Sequence, residues 1–296
     1  MEVQIIQVPY DSAHRDTRMG SGPLHFIRNG LAQTLRQHTH NVNVDIVEAN
    51  SAFQAEIKTA FEIYGTLAER VRTASSSHRF PLILSGNCNS SLGTIAGIGT
   101  ERLGIIWFDG HGDFNTPETS ISGFLDGMGL ATAVGLCWKT LAASIPGFSP
   151  IPGINVIHIG SRDFSSDEKQ LFDQTGVRVI TAEAIRESGL RAVLDTALEA
   201  LLPRIDRIYL HFDLDVLDPA VARANEFAPP NGLTVEQVEQ AIALIGDRFK
   251  ICASAIASYD PRFDKEGQAL RAGIGIMQAV LKAAAGNYDS RVQSRV

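Results

Sequence analysis

The stretch "LGIIWFDGHGD", Leu103 to Asp113, decides the fold. Its first six residues form an unbroken apolar run, and a glycine-rich polar turn closes it, which is the pattern of a strand buried on both faces. Seven further runs share that character: "VQIIQV", "VNVDIV", "PLILS", "INVIHI", "VRVI", "DRIYLHF" and "KICASAIAS". Most are separated by amphipathic segments, with helices expected over 23–37, 52–74, 192–202, 234–246 and 267–286, the fourth opening on Thr234 as its N-cap. Eight strands alternating with helices predict an α/β fold with a parallel sheet covered on both faces.

Composition narrows the function classes. The chain has 296 residues, of which 44% are hydrophobic, enough for a large core, and it has no evident linker. Its 26 basic and 33 acidic residues give a net charge of -7 with no basic run to follow a phosphate backbone, so no nucleic-acid partner is expected. Apolar stretches fall short of the ~20 residues that span a bilayer, and "MEVQIIQVPY" has no basic start or cleavage site, so the expected location is cytoplasmic with no membrane partner. Cys88, Cys137 and Cys252 are too few and too scattered for a disulfide framework or a paired-cysteine zinc knuckle.

Polar clusters follow three of the runs: Asp109, His111 and Asp113 after "LGIIWF", Asp213 and Asp215 after "DRIYLHF", and the turn with Cys88 after "PLILS". In an open parallel sheet, ligands bind at the carboxyl ends of the strands. If the strands continue, residues two apart share a side, so each cluster presents its groups together. Two carboxylates at roughly 4 Å repel by about 4 kcal/mol at an effective dielectric near 20, and neither motif contains a lysine or arginine. Divalent cations would offset that repulsion. Carboxylate oxygen with imidazole nitrogen suits manganese and similar metals, and a metal pair can acidify water and polarise a substrate carbon. Either motif alone could be a solvated turn, and Cys88 alone reads as a nucleophile, a ligand or a small buried hydrophobe.

At these residues the chain resembles the ureohydrolase family, which includes arginase, agmatinase, formiminoglutamase and guanidinobutyrase. "WFDGHGDFNTPETSISGFLDGMGLA" matches the family's D-A-H-x-D segment, and "HFDLDVLDP" its D-x-D-x-x-D-P segment. "GLTVEQV", "IGSRDF" and "RMGSGP" resemble further family segments in the same order, from Arg18 to Asp264. The resemblance implies a three-layer αβα sandwich with an eight-stranded parallel sheet, one domain over 1–296, and a homo-oligomer such as a trimer or hexamer. It also implies two divalent ions, Mn2+ first. Carried over by position, Asp109 and Asp213 would bridge both ions, Asp113 would bind one, and His111 with Asp215 the other. Cys88 stands where the family has a histidine ligand; a thiolate there would admit Zn2+, Fe2+, Co2+ or Ni2+.

The chain departs from the family on the substrate side. Asp126 replaces a histidine assigned to proton transfer, Ser258 replaces the glutamate that meets a guanidinium, and Ser165 replaces an aspartate that meets an ammonium. Asn115 and Ser122 are retained at positions that contact the amino-acid end. His211 is expected as an auxiliary base, as a partner behind the metal ligands, or as a core residue. The leading expectation is a dinuclear metal hydrolase that opens a C–N bond of a small guanidino or amidino compound, with N-hydroxyarginine or a guanidino acid preferred over plain L-arginine. The alternatives are an inactive binding or regulatory protein of the same fold, and a cysteine hydrolase pairing Cys88 with His111.

Overall fold

The computed structural model describes residues 1–37, 39, 41–50 and 55–293, with side chains as far as residue 286. Eight strands form one parallel sheet: β1 (Glu2–Val8), β2 (Asn41–Ile46), β3 (Arg79–Ser85), β4 (Leu103–Phe108), β5 (Val156–Ile159), β6 (Arg178–Ile180), β7 (Arg207–Asp213) and β8 (Lys250–Ala257). Their order is β2-β1-β3-β8-β7-β4-β5-β6. Every neighbouring pair is parallel, so the eight apolar runs are the eight strands. The sequence is two-faced in the way a covered sheet requires. In β4, Ile106 and Phe108 join one hydrophobic cluster while Ile105 and Trp107 join the other. Burial of each such side chain stabilises the fold by about 1.5–3 kcal/mol.

Pro81 lies inside β3 without breaking the sheet. Pairing of β3 with β8 starts only at Leu82, so the residue that lacks an N–H sits beyond the paired stretch on that side. The helix expected over 23–37 is divided into Gly22–Arg28 and Leu31–Arg36 by Gly30, whose φ of 85° no helix accommodates. The expected helix over 52–74 begins at Glu56; positions 52–54 lie outside the described residues. Thr234 caps Val235–Gly246 through a capping box with Gln237. Helix Ser166–Thr175 was not expected from the sequence; its mostly polar face hides the period, although Ser165 and Glu168 form a capping box at its start. Among the described residues no helix is long and apolar enough to cross a membrane.

Candidate metal centre and pocket

The four adjacent strands β3, β8, β7 and β4 deliver the polar residues to one end of the sheet. Cys88 opens a short 3-10 turn after β3, Asp109 follows β4, Asp213 is the last residue of β7, and Ser258 follows β8. The strands do not continue through the motifs, so alternation is not what gathers these residues. β4 stops at Phe108, and Asp113 turns back with a φ of 50°. After β7 a 3-10 turn forms, in which Asp213 Oδ1 accepts the Asp215 N–H at 2.8 Å. Gly110 permits the approach of the two motifs: a Cβ there would lie 2.9 Å from the backbone oxygen of Asp215.

Two overlapping sets of potential ligand atoms result, each set within 4.8 Å of one another: Cys88, Asp109 and Asp213, and Asp109, His111 and Asp215. Asp109 belongs to both. Asp113 lies outside these sets, yet it faces the same cavity and its Oδ2 is buried with no hydrogen-bond partner among the described residues. Burial, then the neighbouring carboxylates, pushes the Asp113 carboxyl well above its ordinary range. Asp213 is pushed up in the same way, by burial and then by Asp215 and Asp109. Burial also raises Asp109, but the hydrogen bond and charge of His111 outweigh it and hold Asp109 low. Burial lowers the His111 pKa, and Asp215 and Asp109 outweigh it and raise it above its ordinary range, with Nδ1 3.3 Å from Asp215 Oδ2 and 3.6 Å from Asp109 Oδ1. Buried carboxylates crowded around an orphaned oxygen, with imidazole and thiol at the edge, are a donor set that fits divalent cations.

The carboxylates are held from behind. Asp109 accepts from Trp107 Nε1 at 3.0 Å and from the His111 N–H at 2.7 Å. Asp215 accepts from the Gly110 N–H at 3.1 Å and from Asn225 Nδ2 at 3.3 Å, and Asn225 also donates to the Ser258 carbonyl at 2.8 Å. Arg162, from the "IGSRDF" segment, does not line the cavity: its guanidinium donates to the carbonyls of Asp215, Val216 and Leu217 and fixes the loop behind the site.

A cavity of about 650 Å³ opens from this cluster, and Asp126, Asn115, Ser122, Ser165 and Ser258 all line it. Asp126 is buried, accepts from Asn87 Nδ2 at 2.7 Å and from the Asn89 N–H at 3.1 Å, and is pushed by burial to about 7. The Ser165 hydroxyl caps its helix, accepting from the Glu168 N–H at 3.1 Å. Ser258, with φ of 62°, places its hydroxyl 3.3 Å from Cys88 Sγ. His211 is not brought to the cavity. Its ring is fully buried, stacks on Trp107 with centroids 3.7 Å apart, and shares Nδ1 with Ser91 and Tyr209. Burial lowers it to about 3, so it is neutral and packs as a core residue.

The pairing of Cys88 with His111 is not formed either. The thiol donates to Asp213 Oδ2 at 3.0 Å, burial and then Asp213 push it well above its ordinary range, and His111 is engaged by Asp109 and Asp215. A nucleophilic thiolate needs the opposite surroundings. Sequence reasoning missed Glu168, Asn225 and the pair Phe124 and Phe227 on the cavity wall; they come from loops and a polar helix with no pattern to mark them.

The sequence matches the model of the family described as the arginase family over residues 1–282. An arginase of Brevibacillus brevis is 32% identical over 234 residues, covering 78% of this chain and 77% of that protein. The solved arginase of Bacillus caldovelox is 29% identical with a TM-score of 0.86, covering 94% of this chain and 97% of its own. The arginase of Bacillus subtilis gives 0.87 at 26% identity, covering 95% and 98%.

Proposed function

The chain belongs to the arginase family, and from that membership we propose that it is a metal-dependent hydrolase of a C–N bond in a small guanidino or amidino compound other than plain L-arginine. The observation that carries this reading is the shared Asp109, which stands in both potential ligand sets, beside His111, Asp213 and Asp215 that line the cavity. Asp109 and Asp213 would hold both of two divalent ions, with Cys88 and Asp113 completing one site and His111 and Asp215 the other. Ions bound there, Mn2+ by preference, supply Lewis acidity toward the substrate carbon and acidify a water molecule.

The chain's own residues do the rest. Asp126, anchored by Asn87 and Asn89, holds a proton near neutral pH and delivers it to the leaving nitrogen. Its carboxylate form attracts a cationic amidine, a task that the Ser258 hydroxyl cannot perform by charge. Phe124 and Phe227, with ring centroids 6.2 Å apart, line the cavity. Arginine is disfavoured because neither Ser258 nor Ser165 carries the charge that would meet its guanidinium or its ammonium, and the Ser165 hydroxyl is occupied as a helix cap.

The test is a screen of arginine, N-hydroxyarginine, agmatine, guanidino acids and formiminoglutamate with each of several divalent metals, reading urea, hydroxyurea, formamide or ammonia release. Turnover of a non-arginine member of this set, lost on chelation and restored by metal, is expected. No turnover with any metal overturns the reading in favour of a non-catalytic protein of the same fold.

A further inference from the structure

Among the described residues lining the cavity, Arg18 is the one lysine or arginine. The segment that carries it is built at a cost: Ser12, Ala13, Asp16 and Arg18 all hold left-handed backbone, with φ of 47°, 65°, 55° and 48°. Such clusters of disfavoured conformation persist where the surrounding structure imposes them, and they gather at ligand sites. Here the Ser12 N–H donates to Asn87 Oδ1 at 2.8 Å, and Gly86 leaves room for the Tyr10 carbonyl, which a Cβ would strike.

This bent segment sets the Arg18 guanidinium at the mouth, with its carbon 5.9 Å from the Phe124 ring centroid and 5.4 Å from that of Phe227. Its Nε lies 3.3 Å from Asp11 Oδ2 and 3.9 Å from Glu226 Oε1, but neither Nε nor Asp11 Oδ2 makes a hydrogen bond. No hydrogen bond engages its Nη1 or Nη2 among the described residues. A rigid fork with its outer donors free is suited to a planar carboxylate.

We propose that Arg18, set between Phe124 and Phe227, is a specificity-determining residue that receives a carboxylate at the far end of the substrate. This rests on the reading of the cavity as a hydrolase site, and it names the substrate class as amidino or guanidino carboxylates. The charges suit such a dipolar molecule: Asp113, Asp126, Asp213 and Asp215 line the same cavity as Arg18. A compound ending in an amine, such as agmatine, meets Arg18 with like charge.

Calorimetry on the Mn2+-loaded protein with 4-guanidinobutyrate, butylguanidine and agmatine tests this, with product release followed in parallel. The acid should bind at least about tenfold tighter than butylguanidine, and Arg18→Gln should bring that ratio close to one. Arg18→Glu should favour agmatine over the acid. If Arg18→Gln does not fold, Phe227→Ala, at a ring 45% exposed, should lower the ratio severalfold. A wild-type ratio near one, or a ratio unchanged in the variant that folds, overturns the assignment. Acid preference without hydrolysis of any compound leaves Arg18 assigned and defeats only the catalytic reading; hydrolysis without acid preference does the reverse.

Discussion

Cys88 Sγ lies 3.0 Å from Asp213 Oδ2, across 125 positions of sequence. This is a thiol hydrogen bond; in the proposed site the same two atoms would serve as ligands of a divalent cation, which would lower the thiol pKa and displace its proton. Titration with Co2+ is therefore expected to produce a near-ultraviolet sulfur-to-metal charge-transfer band. Cys88→Ala should abolish that band and weaken one of the two sites by at least about a hundredfold. A band that persists in the variant places the sulfur ligand elsewhere.

The proposed role of Asp126 as proton donor makes it the group that sets the pH dependence of turnover. Raised by burial to about 7, the carboxyl keeps its proton below that pH and loses it above. A group that donates a proton to the leaving nitrogen must be protonated, so kcat should fall as pH rises through the Asp126 pKa. Asp126→Asn should remove that limb and cost roughly 10²–10⁴-fold in kcat with metal content unchanged. An alkaline limb identical in both proteins contradicts the role.

Metal and pH should act together on stability. Asp113 and Asp213, raised by burial and by neighbouring carboxylates, bind protons more tightly folded than unfolded. Their contribution is present at low pH and declines as pH rises above the ordinary carboxylate range. Ligand ions replace those protons, so Mn2+ should stabilise more at pH 8 than at pH 6. At a hundred times its Kd, an ion adds about 2.7 kcal/mol, which differential scanning calorimetry resolves as a rise of several degrees in Tm. A rise that shrinks with increasing pH would rule out ligands of this kind.

His211 divides the core role from the catalytic one. Ser91 and Tyr209 already contact each other at 2.8 Å, so His211→Leu leaves them paired. The expected loss is about 1–3 kcal/mol of stability, with kcat/KM within about twofold. A hundredfold fall in kcat/KM at unchanged Tm would restore the catalytic reading.

The strands were legible because parallel strands covered on both faces need continuous apolar runs, and "LGIIWF" and "DRIYLHF" have them. The candidate ligand residues were legible because their motifs follow those strands directly. What was hidden depends on contacts far apart in sequence or on turn geometry. Nothing in the sequence shows that Asn225 reaches Asp215, that Asn87 holds Asp126, or that Arg162 braces the loop after β7. The left-handed turn at Asp113 was likewise concealed, since aspartate is common in both turns and extended segments. Arg18 was visible only as part of "RMGSGP", and its role at the mouth depends on the bent chain before it.

Elemental analysis of the Mn2+-loaded protein and of Asp109→Ala, after gel filtration without free metal, tests the central claim most directly. Asp109 belongs to both potential ligand sets, so two ions per chain are expected in the wild type and loss of bound metal in the variant, together with activity. Two ions retained by Asp109→Ala would contradict the account.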